Sequence, residues 1–252
     1  MKWANRVKLA GCALMLTLVT GAQTQSNAPT RWTENFDRLD TSTWGVSTWN
    51  GFWQNDQVKG AFQKQNVYTD GRGHLVLMLD VKACPQGLCA QAAEVQTHRR
   101  FGFGRYSVRM RAASHTPEAR TPGRARPGNI SGAFSFFNNS ATEIDVEIEG
   151  HRTSFMNAAA WTSLKTKTAA LVPSPQRTDL ARDFHTYTWD WQPHRLAFSI
   201  DGVKVWETRQ HVPQQPGHLM LNVWPTMDPN WGGQVKPGRV YMLVDSVSFQ
   251  PL

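Results

Sequence analysis

The chain has 252 residues, with 27 Lys and Arg against 19 Asp and Glu, for a formal net charge of +8. Three positive charges, Lys2, Arg6 and Lys8, sit in the first eight residues, so the remainder carries only +5. No basic helix or aromatic-plus-basic motif accompanies that charge, which argues against a nucleic-acid partner, and after residue 28 no apolar run is long enough to cross a membrane.

Residues 1–28 have the pattern of a secretory leader: a positive start, an apolar run from Leu9 to Val19, then small residues ending at Ala28. Leu9-Ala-Gly-Cys12 spells a lipoprotein box, but it precedes the apolar run and is read as accidental. The expected mature protein is residues 29–252, one domain, exported to the periplasm or the medium. Its length is enough for a β-sandwich with a substantial core. Short strands are predicted at His74–Val81, Gly104–Arg111, Gly132–Phe137, Glu143–Glu149, Phe155–Trp161, His185–Trp191, Leu196–Ile200, Val203–Glu207, His218–Val223 and Val240–Phe249. Asp201-Gly202 marks a two-residue hairpin. Sustained helical periodicity is absent, so the fold class is all-β, an antiparallel sandwich or barrel.

Cys84 and Cys89 flank Pro-Gln-Gly-Leu and are expected to form a local disulfide in an oxidising compartment. The glycines of Phe101-Gly-Phe-Gly104 lead into a strand and are read as close backbone packing, not a nucleotide loop. Residues 114–130 are rich in Pro and Gly and carry Arg120, Arg124 and Arg126. Two readings stay open there: a disordered surface insertion, or a cleft-side loop offering guanidinium groups to an anionic sugar or acyl group.

The most informative run is Glu143-Ile-Asp-Val-Glu-Ile-Glu149. Its period is two, with Ile144, Val146 and Ile148 on one face and four carboxylates on the other. Like charges on one strand face repel unless water or function relieves them. Residues four apart on a strand have Cα atoms roughly 13 Å apart. Two Glu side chains leaning together then bring their carboxyls to roughly 5 Å, the separation of a retaining glycosidase pair. Three carboxyls so close cannot all ionise at neutral pH, so one holds its proton beside an ionised neighbour.

At these residues the chain resembles family 16 of the glycoside hydrolases, whose motif reads Glu-x-Asp-x-Glu. The resemblance extends to Ala93–Arg111, Ser131–Phe137, Phe184–Pro193, Phe198–Val203, Leu219–Trp224 and Trp231-Gly-Gly233. It implies a curved two-sheet jelly roll with a concave substrate cleft. Glu143 is then the nucleophile, Asp145 the assisting carboxylate and Glu147 the general acid/base, although Glu149 shares their parity and the frame could slip to Asp145–Glu149. Glu94, Asn157, Asn222 and Trp224 match substrate-binding positions, with Trp49, Trp53 and Trp231 as further aromatic candidates and Trp189 and Trp191 structural. Ala141, Thr142 and Ala159 stand where lichenases carry aromatic residues. Asp245 matches a structural calcium ligand, joined by backbone carbonyls near Asn35 and Gly73. The implied activity is endo-hydrolysis of a β-1,3-1,4- or β-1,3-glucan without a catalytic cofactor. Depolymerisation of an acidic exopolysaccharide and transglycosylation are alternatives on the same residues, and a non-catalytic glycan-binding jelly roll is a third. A monomer acting on a polysaccharide, without nucleic acid or membrane, is expected.

Overall fold

The computed structural model describes residues 30–54 and 57–252, with side chains from residue 57 onward and before residue 50. The expected leader and the side chain of Trp53 lie outside the described residues. In chain order the strands are β1 (Trp32–Glu34), β2 (Trp44–Val46), β3 (Asn50–Gln54), β4 (Val58–Phe62), β5 (Val67–Thr69), β6 (Leu75–Cys84), β7 (Gly87–Phe101), β8 (Gly104–Ser114), β9 (Asn129–Phe137), β10 (Thr142–Glu149), β11 (Phe155–Ser163), β12 (Thr166–Pro173), β13 (His185–Gln192), β14 (Arg195–Ile200), β15 (Val203–Thr208), β16 (Gly217–Pro225) and β17 (Gly238–Pro251). The only helical pieces among the described residues are single turns at Lys64–Asn66 and Pro175–Arg177. No described helix is long and apolar enough to cross a membrane.

Two sheets face each other. The front sheet runs β7–β16–β9–β10–β11–β12, with β2 on the far side of β7. The back sheet runs β15–β14–β13–β8–β17, continued by β1 and β6. Strand β7 belongs to both: Gly87–Gln91 pairs with β6, and Ala93–Phe101 with β16. Its 15 residues therefore carry the chain from one sheet into the other, ending next to a bulge between His218 and Met220 in the pairing with β16. One pair, β4 with the first half of β7, is parallel, against the antiparallel expectation.

The period-two pattern is what separates the two faces. Ile144, Val146 and Ile148 are buried against the back sheet, in a core that includes Tyr106, Trp189, Trp191, Phe198 and Phe249. Tyr106 stacks on Trp189 at 5.0 Å and meets Phe249 at 4.9 Å. Trp189 and Trp191 are structural, as the sequence suggested. Gly104 fits beneath Phe249, where a Cβ would stand 2.6 Å from the ring. Cys84 and Cys89 are bonded across the β6–β7 turn, with Cα atoms 5.8 Å apart. Closing so small a loop contributes about 2 kcal/mol in the chain-entropy view.

Residues 114–130 form an ordered loop in which backbone carbonyls engage two of the three arginines. The Arg111 guanidinium, 2% exposed, donates to the carbonyls of Ala119 (2.5 Å) and Arg120 (3.3 Å) and so fixes the loop's path. Ala119 packs with Val76, Tyr241, Leu243 and Phe184 on the outer face of the back sheet, away from the front sheet. Arg120 donates to the Asp70 carbonyl at 3.0 Å, and Arg126 to the Pro237 carbonyl at 2.6 Å. A buried arginine that satisfies loop carbonyls turns a Pro/Gly-rich stretch into an ordered cover.

Candidate active site

Strand β10 pairs without a bulge to β9 over eight residues and to β11 over five, so the alternation predicted for Glu143, Asp145 and Glu147 is kept. Residues in register form rows across the front sheet. One row reads Glu94, Asn222, Gly132, Glu147, Asn157 and Leu171 from β7 to β12. The next reads Gln96, Met220, Phe134, Asp145, Ala159 and Ala169, and the third Arg100, His218, Phe136, Glu143, Trp161 and Lys167. The predicted binding residues Glu94, Asn222 and Asn157 thus share one row with Glu147.

Burial raises the proton affinity of all three carboxyls, because desolvation disfavours the charged form. Glu147 is pushed up to about 8, first by burial and then by the charges of Glu143 and Glu149. Asp145 is raised well above its usual range by burial and by the charges of Glu143 and Glu147. Glu143 is raised by burial, opposed by a hydrogen bond from the Ser140 hydroxyl and by the charge of Lys167. Ser140 ends a turn in which Asn138, Asn139 and Ser140 all have left-handed backbone. Three buried carboxyls this close cannot all ionise at neutral pH, and a proton held on Glu147 beside Glu143 suits proton delivery and nucleophilic attack in a single site.

The frame slip to Glu149 is excluded by its surroundings. Glu149 is fully buried and accepts from Arg152 Nε (2.8 Å) and Nη2, Asn157 Nδ2 (2.6 Å) and the Gly232 amide (2.7 Å). The segment Thr226–Gly233 lies over this end of the strand, with Gly232 packed close to Ile130 and Thr226. Glu149 therefore anchors a loop and has no access to a substrate.

Glu94 is buried as well. It accepts from Ser47 Oγ (2.7 Å) and Asn222 Nδ2 (3.1 Å), and burial raises its proton affinity. Asn222 Oδ1 is buried without a protein partner and points at Gly132, where a Cβ would stand 2.5 Å away. Asn157 faces Glu147 in register but gives its amide to Glu149. Trp224 shares its row with Ile130 and packs partly against the core; Trp231 is half-buried, and Trp49 is half exposed beside Phe62.

The sequence reading missed Trp161 and Lys167. Trp161 Nε1 donates to Asp145 Oδ2 at 2.8 Å, and the Lys167 ammonium lies 4.1 Å over the indole. Trp161 stands two residues after Ala159, so an aromatic residue is present on the same strand face, one row along. The parity of Asn157, Ala159 and Trp161 was the available signal.

On the back sheet, the segments expected to supply calcium ligands do meet: Asn35 O lies 3.6 Å from the Cβ position of Gly73. Asp245, however, is already matched by a cation, with Arg109 Nη1 at 3.2 Å and His74 Nε2 at 3.7 Å. No cluster of three acidic, His or Cys ligands occurs among the described residues. A calcium ion there would have to displace the Arg109 guanidinium from Asp245.

The model of Glycosyl hydrolases family 16 matches residues 54–239. A beta-glucanase of Acetivibrio thermocellus is 26% identical over 231 residues, covering 86% of this chain and 62% of its own length. This chain thus spans less than two thirds of that relative. A beta-glucanase of Bacillus subtilis is 27% identical over 186 residues, 69% of this chain and 70% of that protein. Among solved structures, a prokaryotic beta-1,3-1,4-glucanase (lichenase) derived from a mouse hindgut metagenome superposes with TM-score 0.72 at 25% identity, over 88% of this chain and all of that one.

Proposed function

This chain belongs to glycosyl hydrolases family 16, and on that premise we propose that it is an exported, monomeric endo-β-glycanase that cleaves β-1,3-1,4- or β-1,3-glucans with retention of configuration. One observation carries the reading: three carboxyls on one unbulged strand face, with Glu147 holding its proton up to about 8. Glu143 attacks the anomeric carbon while Glu147 gives its proton to the departing oxygen. Glu147 then takes a proton from the water that displaces Glu143 from the sugar. Asp145 lies between the two and responds to the charge of each. Its role is to adjust their protonation between the steps, and the carboxyls supply both steps without a cofactor.

Glu94, Asn222 and Asn157 line the floor beside Glu147 and are proposed to position sugar hydroxyls, with Trp224 at the end of the same cleft. The names of the relatives support a neutral glucan. The acidic-polymer alternative gains nothing from Arg120 and Arg126, whose guanidinium groups are engaged by the Asp70 and Pro237 carbonyls. The test is turnover by the mature protein on barley β-glucan, lichenan, laminarin, xyloglucan and succinoglycan, with and without an added oligosaccharide acceptor. Reducing ends from the first three support the reading. Activity on succinoglycan alone, or acceptor-extended products in place of free sugar, would overturn it.

A further inference from the structure

Trp161 and Lys167 face each other in the β11–β12 pairing, on the row that contains Glu143. The indole reaches back one row to Asp145 through its N–H, and the ammonium sits 4.1 Å over the same ring system. A cation over an indole face is attracted by the ring's quadrupole. We infer that Trp161 and Lys167 act as a pair of positioning residues, the indole orienting Asp145 and the ammonium supplying the positive charge that sets the pH range of the three carboxyls. The inference rests on the proposed double displacement and deepens it.

The charge environment supports the assignment. Lys167 draws Glu143, Asp145 and Glu147 toward ionisation, against the effect of burial. Strand β11, which lies between Lys167 and the carboxyls, has no titratable side chain of its own. Lys165 occupies the turn before β12. Across the edge, Glu207 of β15 is taken up by Arg195 and Lys204, and lies with Arg209 in a groove on the inward side marked by Thr168. Glu149 is held by Arg152 at the far end of β10. Arg100 and His218 occupy the same row as Glu143 from the other side, Arg100 resting 4.1 Å over Phe137.

The sign of the effect follows directly. Removing the ammonium makes each carboxyl hold its proton more tightly. Glu143 must be ionised, so the acid limb of turnover moves to higher pH. Glu147 must be protonated, so the alkaline limb moves the same way. The experiment compares wild type with Lys167→Met, Lys167→Arg and Trp161→Phe by kcat against pH on barley β-glucan, and by 13C NMR titration of the labelled carboxyl carbons without substrate. Lys167→Met is expected to move both limbs upward, with roughly threefold lower turnover on the acid shoulder at low salt and a smaller change at 0.5 M salt. Lys167→Arg should restore the wild-type profile. Trp161→Phe keeps an aromatic face but removes the donor to Asp145, and should raise the Asp145 titration while KM changes little. Unmoved limbs and midpoints in Lys167→Met, with kcat lowered equally at every pH, would overturn the inference. A wild type that cleaves no glucan but whose midpoints still move in Lys167→Met would count against the proposed function and leave this inference standing.

Discussion

Glu149→Gln separates the catalytic frame from its nearest competitor. Glu149 has the same parity as the other carboxylates, yet it is fully buried and held by Arg152, Asn157 and the Gly232 amide. Removing its charge leaves Arg152 without its carboxylate partner and turns one acceptor oxygen into a donor facing the Gly232 amide. Breaking a buried ion pair from one side costs about 3–5 kcal/mol. For a chain of this size that corresponds to a fall in Tm of roughly 6–20 °C. Glu149 is also one of the charges that raise Glu147, so its loss should move the alkaline limb to lower pH; the unpaired Arg152 acts in the same direction. The assays are calorimetry and kcat/KM against pH on barley β-glucan well below the variant's Tm. A lower Tm with retained turnover and a lower alkaline limb is expected. A variant that stays folded with an unchanged Tm but is as inactive as Glu143→Gln would refute the frame and point to Asp145 and Glu149 as the working pair.

Wild-type turnover should decline above about pH 8, where Glu147 loses its proton, and at pH 7 about nine-tenths of the enzyme should hold that proton; a flat profile to pH 9.5 would contradict the assignment of Glu147 as the acid. Gly132→Ala places a methyl 2.5 Å from Asn222 Oδ1, so Asn222 must turn away from Glu94; a loss of about 1–3 kcal/mol in stability is expected, with a several-fold rise in KM, and an unchanged KM would remove Asn222 from the sugar-binding floor. Because Arg109 already neutralises Asp245, Tm should be the same in EDTA and in millimolar calcium; a drop of several degrees on chelation that calcium reverses would restore the calcium site.

The period of two in β10 was legible because both of its faces are strongly marked, three carboxylates on the open side and three branched apolar residues on the core side. All ten predicted strands are present, with ends that lie within three residues of the predicted ones. Strand β7 was not legible: its first half pairs in the back sheet and its second half in the front sheet, and the irregularity at its end breaks the alternation. Strand β12 alternates in burial, but it turns Lys167, Ala169 and Leu171 outward and Thr168 and Ala170 inward, which hides the contrast between its faces. The role of Glu149 could not be read from parity, because the residues that bury it, Arg152 and Gly232, come from a turn and a distant loop. The destination of residues 114–130 depended on Arg111, whose position in a strand gives no sign that its guanidinium caps loop carbonyls.

Double displacement requires Glu143 to form a covalent bond to the sugar. Incubation of the protein with an activated 2-deoxy-2-fluoro β-glucooligosaccharide, followed by proteolysis and tandem mass spectrometry, detects such a bond. A stoichiometric glycosyl adduct on Glu143, formed with loss of activity and released by a glucan acceptor, is the predicted result. An adduct on Asp145, Glu147 or Glu149, or turnover of a natural glucan to a product of inverted configuration, would contradict it.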